Sequence, residues 1–494
     1  MKMNRTMRRM NAIRRKAAVG LVWILSANLA LPVQAAVSIT EVVHGGVTVQ
    51  APVTRIDGKV VTEIAQSTAR AIVHASDFNI APNHIVNITQ PVGGWMLARV
   101  FGPATQIDGA LNATGSFILL NPNGVFIGPG GQVNVGGMFA ASTLNLSNAN
   151  FLNGMYLFQD SGTNGIIKNA GTVNAGIEGV YLFAPNVENA ATGIITSANG
   201  HVSLGAGSTA FLSNRPDGKG FLSQVTAPIG EALNLGSLFA DGGQVTMAGR
   251  VVNQSGIVQA NSVVQRNGRV ELVASEQVTM TAGSRTVSQG GAAGAHGGTI
   301  IAKATTRDQS GNRTGGTVSV GSGATIDVTP GAGGVAGEVW LGGTAVSQNG
   351  TVLGTIHRLI PDQVTLSDGE LFALAPGVAR GEVNVLAMDD IDVETTVPLD
   401  ALGLPFGQAG VFHLDAGRHL KFTNSDFKSF GGQWHIVGRA GNDVTVTASE
   451  ISAASRGSIH LHGGGNLSLA DGSGRTSKIN TANGGGDVSL TAVG

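Results

Sequence analysis

The run Phe117-Ile118-Leu119-Leu120-Asn121-Pro122-Asn123-Gly124-Val125-Phe126-Ile127-Gly128 decides how the rest of the chain is read. Phe117 to Leu120 form a strand. Asn121-Pro122-Asn123-Gly124 then puts each residue where a type I β-turn accepts it: Asn first, Pro second, Asn third, Gly fourth. Val125-Phe126-Ile127 resumes a strand, and Gly128-Pro129-Gly130-Gly131 turns again. The stretch is a tight corner between two short strands, and its plainest role is to stop one and start the next.

The same grammar recurs along the chain. Val180-Tyr181-Leu182-Phe183, Val202-Ser203-Leu204, Val245-Thr246-Met247, Val270-Glu271-Leu272-Val273 and Val318-Ser319-Val320 are short runs with Gly close before them and small residues after. A Gly-x-Val-x-Leu-like strand begins at Gly200, Gly243, Gly268, Gly316, Gly337, Gly457 and Gly486, with first intervals of 43, 25, 48 and 21 residues. A second unit opens at Asn169, Asn189 and Asn253. Such periods mean stacked supersecondary units. One coil has too little apolar surface to fold alone, and stacking buries Val, Ile and Leu in a continuous core. The expected fold is therefore all-β, a right-handed parallel β-helix. A sandwich would show hairpin-spaced strands and longer alternation. Residues 62–73 read as either helix or strand. Residues 283–298 read as a protruding loop or a break. Residues 358–407 are less regular and rich in acidic side chains. The end of the chain shows neither a barrel nor an obvious polar cap.

Composition agrees. Charged residues make up 12% of the 494, about half the usual ~25% of a globular chain. The 74 glycines and the small polar residues must build the surface. Hydrophobic residues reach 42%, too many for a disordered chain. The absence of cysteine excludes disulfides, thiolate metal sites and cysteine nucleophiles.

Residues 1–35 read differently. Lys2, Arg5, Arg8, Arg9, Arg14, Arg15 and Lys16 precede an apolar run over 17–31, and Val33-Gln34-Ala35 is a small-residue cleavage site. This is the pattern of a secretory signal peptide. The apolar run is short against the ~20 residues of a membrane span. Removing the segment leaves 23 basic residues against 31 acidic, a net charge of −8. That balance disfavours a nucleic-acid partner.

The residues from 77 to 150 carry a more specific signal. They contain Asp77-Phe78-Asn79-Ile80, Gln90-Pro91, Arg99-Val100, Gln106-Ile107-Asp108-Gly109, the Asn121-Pro122-Asn123-Gly124 corner, and Ala141-Ser142-Thr143-Leu144-Asn145-Leu146. Ile64-Ala65-Gln66-Ser67-Thr68-Ala69-Arg70 stands upstream. In order and spacing this closely resembles the N-terminal two-partner secretion domain of the filamentous haemagglutinin and high-molecular-weight adhesin family, over residues 37–275. The resemblance implies a signal peptide at 1–35, a secretion domain at 36–275 and continuing irregular β-helix repeats at 276–494. It implies export through a dedicated outer-membrane pore partner, with Asn121, Pro122, Asn123 and Gly124 tied to that export. The chain would cross unfolded and fold outside, as a secreted, surface-associated adhesin of a Gram-negative bacterium whose host-cell, bacterial or matrix ligand the sequence does not name. Some family members carry a further Asn-Pro motif upstream. None occurs here between Asn87 and Leu120, so no role for it is carried over. Family proteins are usually far longer, so a truncated carrier of a C-terminal toxin or haem-binding module is one alternative. A carbohydrate-active β-helix enzyme is another.

Enzyme signals are weak. No nucleophile elbow, Walker loop or zincin motif is present. Acidic residues are sparse through the central repeats, so no carboxylate pair suggests itself, and no cofactor is expected. His460 and His462 alternate and share one strand face, expected to be solvated. Asp389, Asp390 and Asp392 are a conceivable cation site, and Gly205-Ala206-Gly207-Ser208 a conceivable phosphate loop. Neither matches a known binding pattern.

Overall fold

Apolar residues spaced by two along short strands turn this chain into coils. The computed structural model describes residues 37–494, apart from 161, 163, 216–219, 264–267, 375–377, 405–407, 455, 473, 482–485 and 493–494. The signal segment expected at 1–35 lies outside the described residues.

The coils of the first arm present strands on three faces, and in two of them one continuous strand, Gln244–Gln254 or Arg269–Met280, serves two of those faces. One coil is Ser116–Leu120, Val125–Ile127 and Gln132–Val135. The next is Phe139–Ser142, Ile166–Asn169 and Thr172–Ala175. They stack in parallel and in register: Phe117 pairs with Phe139, Val125 with Ile167, Val133 with Val173. Their inward side chains join one core that runs from Ile64 to Leu341. The fold is the expected parallel β-helix. At its N-terminal end Val37–His44 pairs antiparallel with Arg70–Phe78, and Val47–Val49 with Val60–Gln66. Val37, Ile39 and Val47 pack on the core there, so an antiparallel cap closes the first coil. The ambiguous residues 62–73 belong to these strands.

Glycine marks one corner. Gly243 lies over the Gly200 carbonyl, Gly298 over that of Gly268, and Gly337 over that of Gly298; a Cβ on the later glycine would stand 1.9, 2.2 and 2.3 Å from that oxygen. Any side chain would push the coils apart. Gly316 does not belong to this column. It precedes Thr317–Val320, a second-face strand that pairs with residues 277–280 of Arg269–Met280. The repeat read from it was out of phase, and Gly298 holds the position instead.

A second corner carries buried amides. Asn169 Nδ2 donates to Asn189 Oδ1, Asn189 to Asn234 and Asn234 to Gln254 Oε1, each at 2.8 Å. The sequence unit assigned to Asn253 is therefore shifted by one residue, and Asn234 is its missing member. Buried amides satisfied this way fix the register of successive coils.

The first strands of the early coils are buried on both faces. Ser116–Leu120 and Val180–Ala184 have no exposed residue. Their outer sides are covered by the helix Asn148–Leu152, by Tyr156–Gln159 and by the hairpin His201–Asn214 with Phe221–Pro228. A strand buried on both faces reads as an unbroken apolar run. Residues 283–298 are neither a protruding loop nor a break. Their glycines stack on a second glycine-rich corner, with Gly290 N donating to Thr329 O and Gly331 N to Ala295 O. The boundary expected between 275 and 276 falls inside Arg269–Met280, and the same core continues beyond it.

From Val364 a second set of coils begins, with its own core built around Phe412, Phe422, Phe427 and Trp434. Its strands Glu382–Ala387, Ala409–Ala416, Gln433–Ala440, Ile459–Gly463 and Val488–Ala492 form one parallel sheet. The outward face of that sheet lies against the later coils of the first arm, across a seam of ion pairs described below. Among the described residues no helix is long and apolar enough to cross a membrane.

Candidate secretion site

Asn121 sits where the strand Ser116–Leu120 ends, and its side chain is fully buried. Its Nδ2 donates to Pro103 O at 2.7 Å and to Thr105 Oγ1 at 3.0 Å, both in the coil beneath. Its Oδ1 accepts the Asn123 N–H at 3.0 Å, and its carbonyl accepts the Gly124 N–H at 3.0 Å. The backbone N–H of Asn121 reaches Ser142 O in the coil above. Asn123 reaches down to Gly102 O at 2.8 Å. Gly124 has φ +119°, which other residues rarely adopt. The corner is closed by the hydrogen bond expected of the turn, and it also bolts three coils together. Gly102, Pro103 and Thr105 were not singled out in the sequence. The Gly-Pro dipeptide was the available turn signal.

The other residues of this block are wired into the same region. Gln90, buried, donates to Ser116 O and Gln66 Oε1 and accepts from Gly115 N. Asp77 accepts from Asn79 N at 2.8 Å, and Asn79 accepts from Gln106 N at 2.6 Å. Arg99 donates to Leu146 O and Asn148 Oδ1, which anchors the covering helix; burial lowers its pKa. Arg70 donates to Phe151 O and stands 5.4 Å from the Trp95 ring centre and 5.2 Å from that of Phe151. Facing solvent at the corner are Asn123, half-buried Pro122 and Phe101, which is 61% exposed and stacks edge-on against His74.

The residues weighed for chemistry are engaged elsewhere. Asp389 pairs with Arg307 at 2.6 Å, Asp390 with Arg418 and Lys421, and Asp392 with Lys421. Asp390 and Asp392 thus share the Lys421 ammonium while Asp389 turns away to Arg307, so the three carboxylates do not converge on one ion. Gly205 and Gly207 lie inside the strand His201–Asn214, not at a helix start. His460 and His462 do share a strand face, but that face is buried, contrary to the solvated surface expected.

A cavity of about 290 Å³ opens between the hairpin strand Phe221–Pro228, the outer face of the first arm and the second arm. It contains two carboxylates, Glu271 and Asp415. Arg439 Nη2 bridges them at 2.6 and 3.1 Å, and Lys303 holds Asp415 at 2.8 Å. Burial would raise both carboxyls, but these cations, with Arg269 beside Glu271, outweigh it and hold both low. Neither is poised to donate a proton.

A family model described as TPS secretion domain matches residues 44–291, half of the chain. A curated relative, the heme/hemopexin-binding protein of Haemophilus influenzae, is 40% identical over 81 residues, which are 16% of this chain and 9% of that protein. The crystal structure of the HMW1 secretion domain from Haemophilus influenzae superposes with a TM-score of 0.51 at 21% identity, over 92% of this chain and all of that one. The filamentous hemagglutinin secretion domain gives 0.25 at 15% identity, over 65% of this chain and 99% of that one. The likeness to the HMW1 domain is one of fold.

Proposed function

This chain belongs to the TPS secretion domain family, and from that membership we propose that it is a secreted exoprotein exported through a dedicated outer-membrane pore partner. The family match over residues 44–291 carries this reading. The amino-terminal segment 1–35, read as a signal peptide, would deliver the chain to the periplasm, and the secretion domain would be recognised there. Export of an unfolded chain suits this architecture. Each coil contacts chiefly its neighbours, so folding can start at the capped end and propagate as coils emerge.

Within that reading, Asn121, Pro122, Asn123 and Gly124 serve export in two ways. Asn121 and Gly124 allow the first coils to close, and Pro122 and Asn123 with Phe101 offer the partner a surface at one edge. The experiment is export of Asn121→Ala and Asn123→Ala chains beside their stability as purified proteins. Asn121→Ala is expected to lower both. Asn123→Ala is expected to lower export more than stability. Unchanged export in both would remove the motif from the secretion reading.

The finished protein acts at the cell surface as an adhesin, without catalysis of its own. The ion-paired state of Glu271 and Asp415 supports a binding role over a hydrolytic one. A second reading, favoured by the 40% identical stretch shared with the heme/hemopexin-binding protein, is that the ligand is heme or hemopexin. Titration of the purified chain with heme, followed by its Soret absorbance, together with co-elution of the chain with hemopexin on size exclusion, separates the two readings.

A further inference from the structure

The second arm turns a histidine-rich face toward the first. His413, His435, His460 and His462 lie on three adjoining strands, Ala409–Ala416, Gln433–Ala440 and Ile459–Gly463. His413 is in register with Val437 and Val437 with His460; Asp415 is in register with Arg439 and Arg439 with His462. His460 and His462 keep only 6% and 5% of their surface, and among the described residues none of their four ring nitrogens has a hydrogen-bond partner. Opposite them stands the first arm's hairpin. The Phe211 ring stacks on His462, 5.4 Å between centres and 14° between planes. Ser213, Leu222, Ser223 and Gln224 complete the wall.

An imidazole enclosed in this way is stable only when neutral. The charged and titratable groups around the pair are few. Arg439 and His435 flank it on the adjoining strand, and Asp487 precedes the next one. Among the described residues, those of the hairpin that line this wall, Ser213, Leu222, Ser223 and Gln224, carry no titratable side chain. Farther along the seam His413 lies among Arg269, Arg439 and Glu271, with Glu382 at 3.8 Å.

We propose that this face is a pH-released clasp: neutral His460 and His462 hold the second arm on the first, and protonation in a mildly acidic medium undocks it while both cores stay folded. The inference is independent of the export reading. Burial, the largest cause, lowers His460 and His462 to about 4, with His435 and Arg439 adding to it. A freed imidazole titrates near ~6.5. The undocked state therefore takes up more protons between those values. Docking is fully favoured above the upper value and is lost as pH falls toward the lower one. Glu271 and Asp415 are held low by the cations beside them, so these two carboxylates keep their charge across that window.

The chain has no cysteine, so a spin-labelled pair can be introduced at exposed Asn214 and Ala492, on two strands in contact across the seam. The full chain should give one short distance at about pH 7.5. It should give a long, broad distribution by about pH 4.5, with its circular dichroism unchanged. His460→Gln with His462→Gln should stay short at the acidic pH. If that pair does not dock at neutral pH, the apolar pair His460→Leu with His462→Phe gives the same reading. A distance unaffected by acid, a docked variant that opens at the parental pH, or loss of circular dichroism in step with the distance would overturn the clasp.

Discussion

At the scale of the residue, the Asn121 corner shows how one side chain can hold three coils. Asn121→Ala removes two donated bonds and one accepted bond in a fully buried place. The expected loss is about 2–3 kcal/mol, because Pro103 O and Thr105 Oγ1 lose their buried donor. Gly124→Ala forces a Cβ into a backbone with φ +119°, 3.0 Å from Ile166 O, and should cost about 1–3 kcal/mol. Asn123→Ala, at an exposed position, should cost under about 1 kcal/mol. Urea unfolding midpoints of the purified chains check the order. The turn itself was legible, since Asn, Pro and Gly are the residues such a turn demands. Its acceptors were not, because they come from a coil about 18 residues earlier whose stacking no local rule fixes. The alternation of His460 and His462 was likewise legible, but the Phe211 ring that stacks on His462 lies far away in the chain.

At the scale of the element, two ladders of side-chain amides run from coil to coil and set their register. The Asn169, Asn189, Asn234 and Gln254 ladder is buried, whereas the Asn87, Asn112, Asn134 and Asn174 ladder is only half-buried. Asn189→Ala breaks two buried amide bonds and should lower stability by about 2–4 kcal/mol, while Asn134→Ala, whose partners can turn to water, should cost about 1 kcal/mol. Equal shifts of the two unfolding midpoints would contradict this account. Short apolar strands and turn residues made the coil visible in the sequence. Its phase was less legible. Gly316 opens a strand of another face, and Gln254 stands in for asparagine, so the repeat changes residue type while keeping its geometry. The insertion of the hairpin and the helix-bearing excursion further obscured the period, as both leave and rejoin a coil without disturbing its neighbours.

At the scale of the whole molecule, the acidic stretch after residue 358 gains its explanation from the seam. Asp362, Glu382 and Asp389 meet Arg313, Arg269 and Arg307 of the first arm, and Arg380 and Arg439 meet Glu338 and Glu271. Composition alone marked the charge but could not name partners that lie dozens of residues away, and as many as 168 for Arg439 and Glu271. Arg439→Met leaves two buried carboxylates short of a partner, at a cost of about 3–5 kcal/mol. It should loosen the seam and raise hydrogen exchange along the seam-facing strands of both arms, with the Phe117 and Phe412 cores still protected. Exchange unchanged at the seam would mean that the ion pairs do not hold the arms together. The central claim, however, concerns export, and its most direct measurement is release of the chain into the medium by a Gram-negative host with and without its candidate pore partner. Release only in the presence of the pore, with residues 1–35 removed, is the predicted result. Equal release without any partner, or retention inside the cell with that segment intact, would contradict it.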